Sequence, residues 1–192
     1  MPQLAHQVTW TEEEYLLFED NNETKHEFLN GQVYAMAGAK GPHNVIATNM
    51  AAALHGLARG GPCRVFNSDQ RVYVPQPKKF YTYPDGGVAC AKWQYHPKAA
   101  DKMVLLNPVL LFEVLSPSTE KYDRGTKLML YRQIESLRDV LLIDPAGRLV
   151  DHHHRGSRGW KSTTRYRGAI SVLGGIIQVG DLFEGMELDQ TD

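Results

Sequence analysis

The 192-residue sequence predicts an α/β protein, in the looser α+β sense, whose helices pack around a mixed β-sheet. Three observations support this fold class. The chain opens with a helical pattern, continues with several short strand-like runs, and has one long helical pattern after a run that is apolar at almost every position. Such a run is typical of a strand buried on both faces. No linker rich in Gly, Ser or Pro divides the chain, so we expect one domain over residues 1–192.

The first third of the chain predicts two helices separated by a hairpin. Thr9–Asp20 has a helical pattern in which Thr11 is the expected N-cap and acidic residues fill the first turn. Asn30-Gly31 stands between two alternating apolar runs, which is a strong hairpin signal. Pro42–Arg59 carries apolar residues near helical spacing, and Gly60-Gly61 is expected to end this helix.

The rest of the chain is mostly strand-like. Alternation or continuous apolar character predicts extended segments at Cys63–Phe66, Gln70–Val74, Phe80–Ala91, Val109–Leu115 and Asp139–Ile143. Within the second of these, Val72 and Val74 alternate with Arg71 and Tyr73. A helix from about Thr119 to Ile134 follows the apolar run, and short strands joined by Gly-containing turns are expected from Leu149 to Val179.

The composition excludes several classes of protein. With 42% hydrophobic and 22% charged residues, the chain is neither disordered, collagen-like nor a disulfide scaffold. A net charge of -1 argues against a protein that holds nucleic acid by bulk charge alone. Basic residues do cluster between Arg148 and Arg167, a pattern typical of either a solvated hairpin or a strip that faces phosphates.

Cysteine usage and hydropathy predict the cellular setting. Cys63 and Cys90 form no CxxC motif, and we expect reduced thiols in a cytoplasmic protein. The apolar runs fall well short of the ~18 residues that span a bilayer, so no membrane partner is expected. Residues 1–20 carry no cationic stretch followed by an apolar one, and we therefore expect no signal peptide.

Glu113 is the most informative polar residue, because it stands within Pro-Val-Leu-Leu-Phe-Glu-Val-Leu, the most apolar stretch of the chain. A buried carboxylate without a partner is costly, so Glu113 must be neutral, paired with a cation or bound to a metal. Asp85, after a Tyr-Pro step in a strand-like segment, poses the same question in milder form. If the two carboxylates converge, a divalent cation removes their repulsion, and hard oxygen ligands favour Mg²⁺ or Mn²⁺ over Zn²⁺. The alternatives are a structural ion pair for Glu113 and an ordinary turn or strand-end residue for Asp85.

Lys127 follows Glu113 by fourteen residues and falls in the predicted helix. If that helix packs back on its preceding strand, the ammonium reaches the carboxylates, where it stabilises charge on a phosphate or orients an attacking water. The alternative is an exposed i,i+4 pair of Asp123 and Lys127, worth a few tenths of a kcal/mol.

Two histidine patterns leave their interpretation open. His43 opens the second predicted helix and is either a cap or packed core residue or a member of the site. His152 and His154, in an internal run of three histidines, would share one face of a strand and could chelate a transition metal. No third ligand is apparent nearby in the sequence, so an exposed polar strand is the alternative.

Several segments in this order and spacing resemble the Uma2 family, restriction-endonuclease-like proteins of the PD-(D/E)XK nuclease superfamily. The segments are YPDGGVAC, LLFEVLSPSTEKYDRGTKLMLYRQ and DVLLIDP, with KHEFLNGQVYAMAG and the helix that begins near His43 before them. The likeness extends from about Thr9 to Asp181. It implies a restriction-endonuclease-like core, that is, a central mixed β-sheet flanked by helices.

The resemblance also implies a metal site. Asp85 corresponds to the aspartate of the family's Pro-Asp element and Glu113 to its second acid. The main-chain carbonyl of Val114, beside the second acid, is a further expected ligand of Mg²⁺ or Mn²⁺. Gly86-Gly87 departs from the apolar residues that the family tends to place after Pro-Asp.

The implied lysine and the supporting residues come from elsewhere in the chain. Superfamily members usually carry a lysine two residues after the second acid, where this sequence has Leu115. The family's lysine is thought to come from the following helix, which points to Lys127. Glu27 matches an additional acidic position near the first hairpin, and His43 is a weaker supporting candidate.

These inferences lead to a metal-dependent endonuclease that hydrolyses phosphodiester bonds of nucleic acid, with DNA as the expected substrate. The arginines expected to contact flanking phosphates are Arg124, Arg132, Arg155 and Arg158. A homodimer is expected, since nucleases that cut both strands often pair by two-fold symmetry. The alternatives are a catalytically inactive nuclease-fold module that binds nucleic acid or protein, and a metal-dependent hydrolase of a smaller phosphoester.

Overall fold

The structure is a computed structural model that describes residues 9–36, 38, 41–75, 78–100 and 103–186. The helices in this part are α1 (Glu12–Asp20), α2 (Gly41–Ala58) and α3, which is formed by the consecutive segments Glu120–Tyr122, Asp123–Lys127 and Leu128–Tyr131. A 3-10 helix covers Gly180–Phe183. None of the helices described is long and apolar enough to cross a membrane. The prediction of no signal peptide concerns residues 1–20, of which residues 1–8 lie outside the described part.

Thirteen strands are described. In chain order they are β1 (His26–Leu29), β2 (Gln32–Ala35), β3 (Cys63–Asn67), β4 (Arg71–Val74), β5 (Phe80–Thr82), β6 (Gly86–Cys90), β7 (Val104–Leu105), β8 (Leu110–Val114), β9 (Asp139–Asp144), β10 (Leu149–Gly156), β11 (Gly159–Arg165), β12 (Ala169–Val172) and β13 (Gly175–Gln178). They form a five-stranded sheet of order β2-β1-β5-β4-β7, a six-stranded sheet of order β11-β10-β9-β8-β6-β3, and the pair β12-β13. The pairs β4–β7 and β8–β9 are parallel and the others antiparallel, which confirms the predicted mixed sheet.

The predicted opening helix and hairpin are confirmed, and local chemistry explains both. Thr11 and Glu14 form a reciprocal capping box: the Glu14 N–H donates to Thr11 Oγ1 at 3.2 Å, and the Thr11 N–H donates to Glu14 Oε2 at 2.8 Å. Asn30 and Gly31 have φ angles of 48° and 92°, the left-handed values that a two-residue hairpin turn requires.

The six-stranded sheet, which we call the central sheet, has a different apolar layer on each face. Along β8, Phe112 and Val114 pack with residues of α2, whereas Leu111 and Leu115 pack with residues of α3. We call these sides the α2 face and the α3 face. Because side chains alternate along a strand, Glu113 lies on the α3 face.

The prediction of one extended segment over Phe80–Ala91 is wrong, because β5 and β6 belong to different sheets. The chain passes between the sheets at Tyr83-Pro84-Asp85, where Pro84 has no N–H to offer a ladder. Gly86 allows β6 to approach β8 closely, since a Cβ there would lie only 2.5 Å from the ring of Phe112. The glycines after Pro-Asp therefore hold Asp85 beside β8.

The prediction of reduced thiols is also wrong, since Cys63 and Cys90 form a disulfide in the structure. The two cysteines are Cα partners in the antiparallel pairing of β3 with β6, at a Cα–Cα distance of 3.9 Å. Their separation of 27 residues in sequence concealed this pairing, because the partner strand of β3 depends on the sheet topology.

Strand β4 is buried along its whole length, in contrast to the alternation in its sequence. It lies between β5 and β7, and Arg71 is only 1% exposed. The Arg71 guanidinium donates from Nη2 to Asp20 Oδ1 at 2.8 Å and from Nε to Tyr83 Oη at 2.9 Å. A buried arginine is therefore accommodated by partners from α1 and from the chain after β5.

The helix predicted from Thr119 to Ile134 is present but shorter and irregular. Its helical segments begin at Glu120 and end at Tyr131, and Asp123–Lys127 is a π-helical turn in which the N–H of Leu128 donates to the carbonyl of Asp123. Such single π turns interrupt α-helices frequently at functional sites. Here both ends of the turn carry a buried charged residue, Asp123 and Lys127.

Candidate active site

Glu113 and Lys127 are in direct contact on the α3 face. The Lys127 Nζ lies 2.9 Å from Glu113 Oε1, and both side chains are only 6% exposed. The hydroxyl of Tyr131, one helical turn after Lys127, donates to the same carboxylate oxygen. Glu113 therefore has the cationic partner that its apolar surroundings require.

Lys127 contacts two other carboxylates. Its Nζ lies 3.2 Å from Glu27 Oε1 and 3.8 Å from Asp123 Oδ1. Asp123 and Lys127 are both buried, so the alternative of an exposed i,i+4 pair is wrong. We call the four residues Glu27, Glu113, Asp123 and Lys127 the Lys127 cluster.

Glu27 comes from the other sheet and lies within reach of the same ammonium. It stands on β1, where Thr82 of β5 donates to its Oε1 and the Tyr122 hydroxyl donates to its Oε2 at 3.1 Å. The five-stranded sheet thus contributes one carboxylate, and the central sheet and α3 contribute the others.

Asp85 lies at the edge of this cluster. Its Oδ2 accepts the N–H of Val114 at 2.7 Å, which places the carboxylate beside the residue that follows Glu113. The same oxygen lies 3.1 Å from His43 Nε2 of α2. Burial lowers the pKa of His43, but the hydrogen bond and charge of Asp85 outweigh it, so the net shift is upward.

The sequence did not reveal every residue of the site. Asp123 entered only as the partner of an exposed pair, and Thr82, Tyr122 and Tyr131 were not singled out. Helical spacing relates Tyr131 to Lys127 and offered a signal, since residues four apart on a helix are neighbours. The contacts of Thr82 and Tyr122 with Glu27 span more than fifty residues and depend on how the two sheets pack.

The electrostatics of the site show an excess of negative charge. Burial raises the pKa of Glu113 to about 8; the ammonium of Lys127 opposes this shift, and the carboxylates of Asp85 and Asp123 add to it. Burial likewise raises the pKa of Asp123. For Lys127, burial lowers the pKa, but the surrounding acids outweigh it and the net shift is upward. Three carboxylates contact one lysine, and the charge of Asp85 also acts on Glu113 and Asp123, so an added cation would be favourable here.

The residues present fit a hard divalent cation. The contacts described above fall on Oδ2 of Asp85 and on Oε1 of Glu113. Among the residues that the structure describes, no hydrogen bond or ion pair reaches Oδ1 of Asp85 or Oε2 of Glu113. Each acid therefore keeps one oxygen for a ligand, and an all-oxygen donor set suits Mg²⁺ or Mn²⁺.

A cavity of about 320 Å³ opens beside the Lys127 cluster. It is lined by Glu27, Leu29, Tyr34 and Tyr122. Glu27 is thus shared between the cluster and the cavity wall.

The four arginines expected to contact phosphates have different environments. Arg124 pairs with Glu120 and Asp151. Arg132 lies over the ring of Trp160, and Arg155 lies over the same ring while it donates to main-chain carbonyls. Arg158 is exposed in the turn between β10 and β11.

Comparisons with known proteins agree with this architecture. Residues 12–190 match the Uma2 family, described as "Putative restriction endonuclease". "Uncharacterized protein slr1290" of Synechocystis sp. (strain ATCC 27184 / PCC 6803 / Kazusa) is 36% identical over 148 residues, which is 77% of this chain and 75% of the relative. "Uncharacterized protein sll1609" of the same organism is 33% identical over 156 residues, or 80% of this chain and 85% of the relative.

A solved structure shows the same fold. It is the crystal structure of "a putative nuclease belonging to DUF820" from Anabaena variabilis ATCC 29413, with a TM-score of 0.71 and 17% identity. The match covers 90% of this chain and 97% of that one. Together with the family match over nearly the whole sequence, these likenesses confirm the predicted resemblance and fold class: the chain belongs to the Uma2 family.

Proposed function

We propose that this protein is a metal-dependent endonuclease that hydrolyses phosphodiester bonds of DNA. The observation that carries the proposal is the contact of buried Glu113 with Lys127, beside which Asp85 accepts a hydrogen bond from the main-chain N–H of Val114. Buried ion pairs are often no more stabilising than apolar residues of similar volume, so a costly cluster with surplus carboxylates favours a functional role. The family description and the fold shared with a protein described as "a putative nuclease" support the same conclusion.

Each residue of the site has a role in this proposal. Asp85 and Glu113, with the carbonyl of Val114, hold Mg²⁺ or Mn²⁺. Such an ion, when bound, lowers the pKa of a coordinated water and stabilises charge on the phosphoryl oxygens. Lys127 holds Glu113 in place and stabilises negative charge on the phosphate or orients the water.

Two supporting residues position these groups. Glu27 accepts from Tyr122 and Thr82 and thereby fixes a second contact to the Lys127 ammonium. His43 holds the Oδ2 oxygen of Asp85, which leaves Oδ1 to face a cation.

The substrate reaches the site from the cavity that Tyr34 and Tyr122 line, and exposed basic residues such as Arg158 contact its flanking phosphates. A two-fold homodimer presents a second site to the opposite strand. Sedimentation or light scattering with and without DNA measures this dimer.

The decisive experiment is cleavage of plasmid and single-stranded DNA with Mg²⁺ or Mn²⁺. We expect Glu113→Gln to lower the rate at least roughly 100-fold, because it removes an anionic ligand and the charge partner of Lys127. Glu23→Gln, at an exposed glutamate, is the matched control and keeps the wild-type rate. Equal rates for Glu113→Gln and wild type would show that the site is misassigned.

A second candidate function is a catalytically inactive module of the same fold that binds nucleic acid or protein. One observation favours it: Glu113 already has a cationic partner in Lys127 and a hydrogen bond from Tyr131 without a metal. Calorimetric titration with Mn²⁺ discriminates between the two, since the module predicts no binding at the carboxylates. Binding that Asp85→Asn abolishes would eliminate the module.

A smaller phosphoester as substrate is a third candidate, tested in the same assay. Bis(p-nitrophenyl) phosphate and RNA are added to the DNA substrates. Metal-dependent hydrolysis of the small ester in the absence of any nucleic-acid cleavage would favour that candidate over the nuclease.

A further inference from the structure

The opposite face of the central sheet carries a second group of ligand-type side chains. Asp139 begins β9, and His152 and His154 stand on the neighbouring strand β10. Their donor atoms, one from each residue, all lie within 4.8 Å of one another. In the part of the chain that the structure describes, this is the one group of three or more His, Cys, Asp or Glu residues that meets this criterion.

The strand register places these residues together. His154 is the Cα partner of Asp139, and His152 is the partner of Leu141 in the antiparallel pairing of β9 with β10. His152 Nε2 lies 2.7 Å from Asp139 Oδ1, and His154 Nδ1 lies 2.8 Å from the same oxygen. Leu141 packs on the α2 face, so the three side chains lie on the other side of the sheet from Glu113.

The charges of Asp139, His152 and His154 favour the binding of a cation. The Asp139 side chain is 7% exposed, and among the described residues no lysine or arginine lies within 4.0 Å of its carboxylate. Its partners are two imidazoles, which supply nitrogen ligands when neutral. A buried carboxylate faced by two imidazole nitrogens is therefore one positive charge short when both rings are neutral.

We propose that Asp139, His152 and His154 form a binding site for a divalent transition metal of the Zn²⁺ type. Two imidazole nitrogens and one carboxylate oxygen are a common three-residue ligand set for such ions, with the remaining positions open to water. The mixed nitrogen and oxygen donors distinguish this site from the all-oxygen site at Asp85 and Glu113, which suits Mg²⁺. The third ligand that the histidine run lacks in sequence is supplied by the start of β9.

Binding requires a small rearrangement and a change of tautomer, because a ring nitrogen that donates to Asp139 must leave its proton to the other ring nitrogen or to solvent before it holds the ion. Ligand bonds of about 2.0–2.2 Å in a tetrahedral site separate the donor atoms by about 3.3 Å, so each histidine must move outward by roughly half an ångström. His154 is 51% exposed and can make the larger movement, whereas the more buried His152 needs only a small side-chain shift away from Asp139. The exposed side also gives the ion its route of entry.

The test is titration of the tag-free protein with Zn²⁺ at neutral pH, read by calorimetry, and with Co²⁺, read by its visible absorption. We expect one Zn²⁺ site that is retained in Glu113→Gln and weakened at least roughly 10-fold in His154→Ala, because a ligand is lost. His55→Ala, at an exposed histidine of α2, is the matched control and leaves affinity unchanged. His154→Ala is the first choice of variant, because its half-exposed side chain is the least needed for folding.

A second readout tests the same site without relying on stoichiometry. If Zn²⁺ binds the folded state and not the unfolded state, it raises the melting temperature of the protein. We expect this rise in the wild type and its loss in both His154→Ala and Asp139→Asn. Zn²⁺ affinity that is unchanged in His154→Ala, or that is lost in Glu113→Gln instead, would overturn the proposal, as would the absence of any Zn²⁺ binding. None of these outcomes depends on whether the protein cleaves DNA.

Discussion

Arg71 and Lys127 are both buried cations, but the groups that compensate their charges are arranged differently. The guanidinium of Arg71 donates to Asp20 and to the Tyr83 hydroxyl, which in turn donates to Glu19 Oε1 at 2.8 Å. Glu19 also accepts the main-chain N–H of His26 at 2.9 Å. We call Arg71, Asp20, Tyr83 and Glu19 the Arg71 cluster. In it Nε and Nη2 of the guanidinium each have an acceptor, whereas Nη1 has none among the described residues.

The Lys127 cluster is less balanced. Lys127 contacts three carboxylates, and Asp85 adds a fourth that acts on the pKa of Glu113 and of Asp123. Both of these pKa values are raised, which means that the folded protein holds the charged forms at a cost. The difference teaches that a buried ionic group alone does not mark a function, whereas an uncompensated surplus of one charge does.

Arg71→Met should cause a large loss of stability. Removal of one partner of a buried ion pair leaves Asp20 and Tyr83 without their donor, and such changes cost about 3–5 kcal/mol. Chemical denaturation measures the free energy of unfolding, with the exposed Arg158→Met as a control that stays within about 0.5 kcal/mol of wild type. Mn²⁺ affinity of the folded fraction should not change. A stability loss no larger than that of the control would contradict the claim that the buried contacts of Arg71 stabilise the fold.

Lys127→Met should lower both stability and the cleavage rate, because it leaves buried carboxylates without their cation and removes a donor from the proposed site. Loss of a preorganised donor to developing charge lowers rates by roughly 10²–10³-fold. The exposed Lys121→Met, on the same helix, keeps the wild-type rate. Circular dichroism and melting curves establish that the variant is folded. A folded Lys127→Met protein with an unchanged rate would show that the ammonium is structural, like Arg71.

The two clusters also differ in how far the sequence predicted them. Glu113 was identified because the other seven residues of its segment are nonpolar and offer its carboxylate no partner for its charge. That argument needs no knowledge of the fold. Arg71 was not identified, because it alternates with Val72 and Val74 as an outward residue would. It is buried because β4 lies inside its sheet and α1 supplies Asp20, and both facts belong to the tertiary structure.

Local rules predicted most of the elements for the same reason. The Thr11 cap and the Asn30-Gly31 turn are decided by neighbours in sequence, and both are confirmed. The division of Phe80–Ala91 and the Cys63–Cys90 bond depend on which strands pair, and periodicity carries no information about pairing. The π turn that buries Asp123 with Lys127 was likewise beyond a reading of helical spacing.

The pH dependence of stability should reveal the surplus of acids. Burial raises the pKa of Glu113 to about 8, so the folded state binds this proton more tightly than the unfolded state. The stability contributed by the bound proton is complete below the unfolded pKa of about 4.3 and is lost as the pH rises toward 8. In the presence of a chelator, we expect the free energy of unfolding to fall across this window by on the order of a few kcal/mol.

Glu113→Gln is the comparison for that measurement. Its amide does not titrate, so the decline between about pH 5 and pH 8 should be clearly shallower than in the wild type. Lys127 does not contribute in this window, because its pKa is raised further above its usual value and stability from it is lost only in strong alkali. Identical slopes for Glu113→Gln and wild type would contradict the assigned cause.

The smallest expected effects come from removal of one hydroxyl in each cluster. Tyr83→Phe takes a bonded group from both Arg71 and Glu19, whereas Tyr122→Phe takes a single hydrogen bond from Glu27 Oε2. We expect stability losses of about 2–3 kcal/mol and about 1 kcal/mol, respectively, with no loss for the exposed Tyr34→Phe that lines the same cavity as Tyr122. Denaturation curves of the three variants measure this order. If Tyr122→Phe lowers the free energy of unfolding as much as Tyr83→Phe does, the hydrogen bonds of Glu27 stabilise the protein as strongly as those of the Arg71 cluster. The surplus charge would then have to be attributed to Glu113 and Asp123 alone.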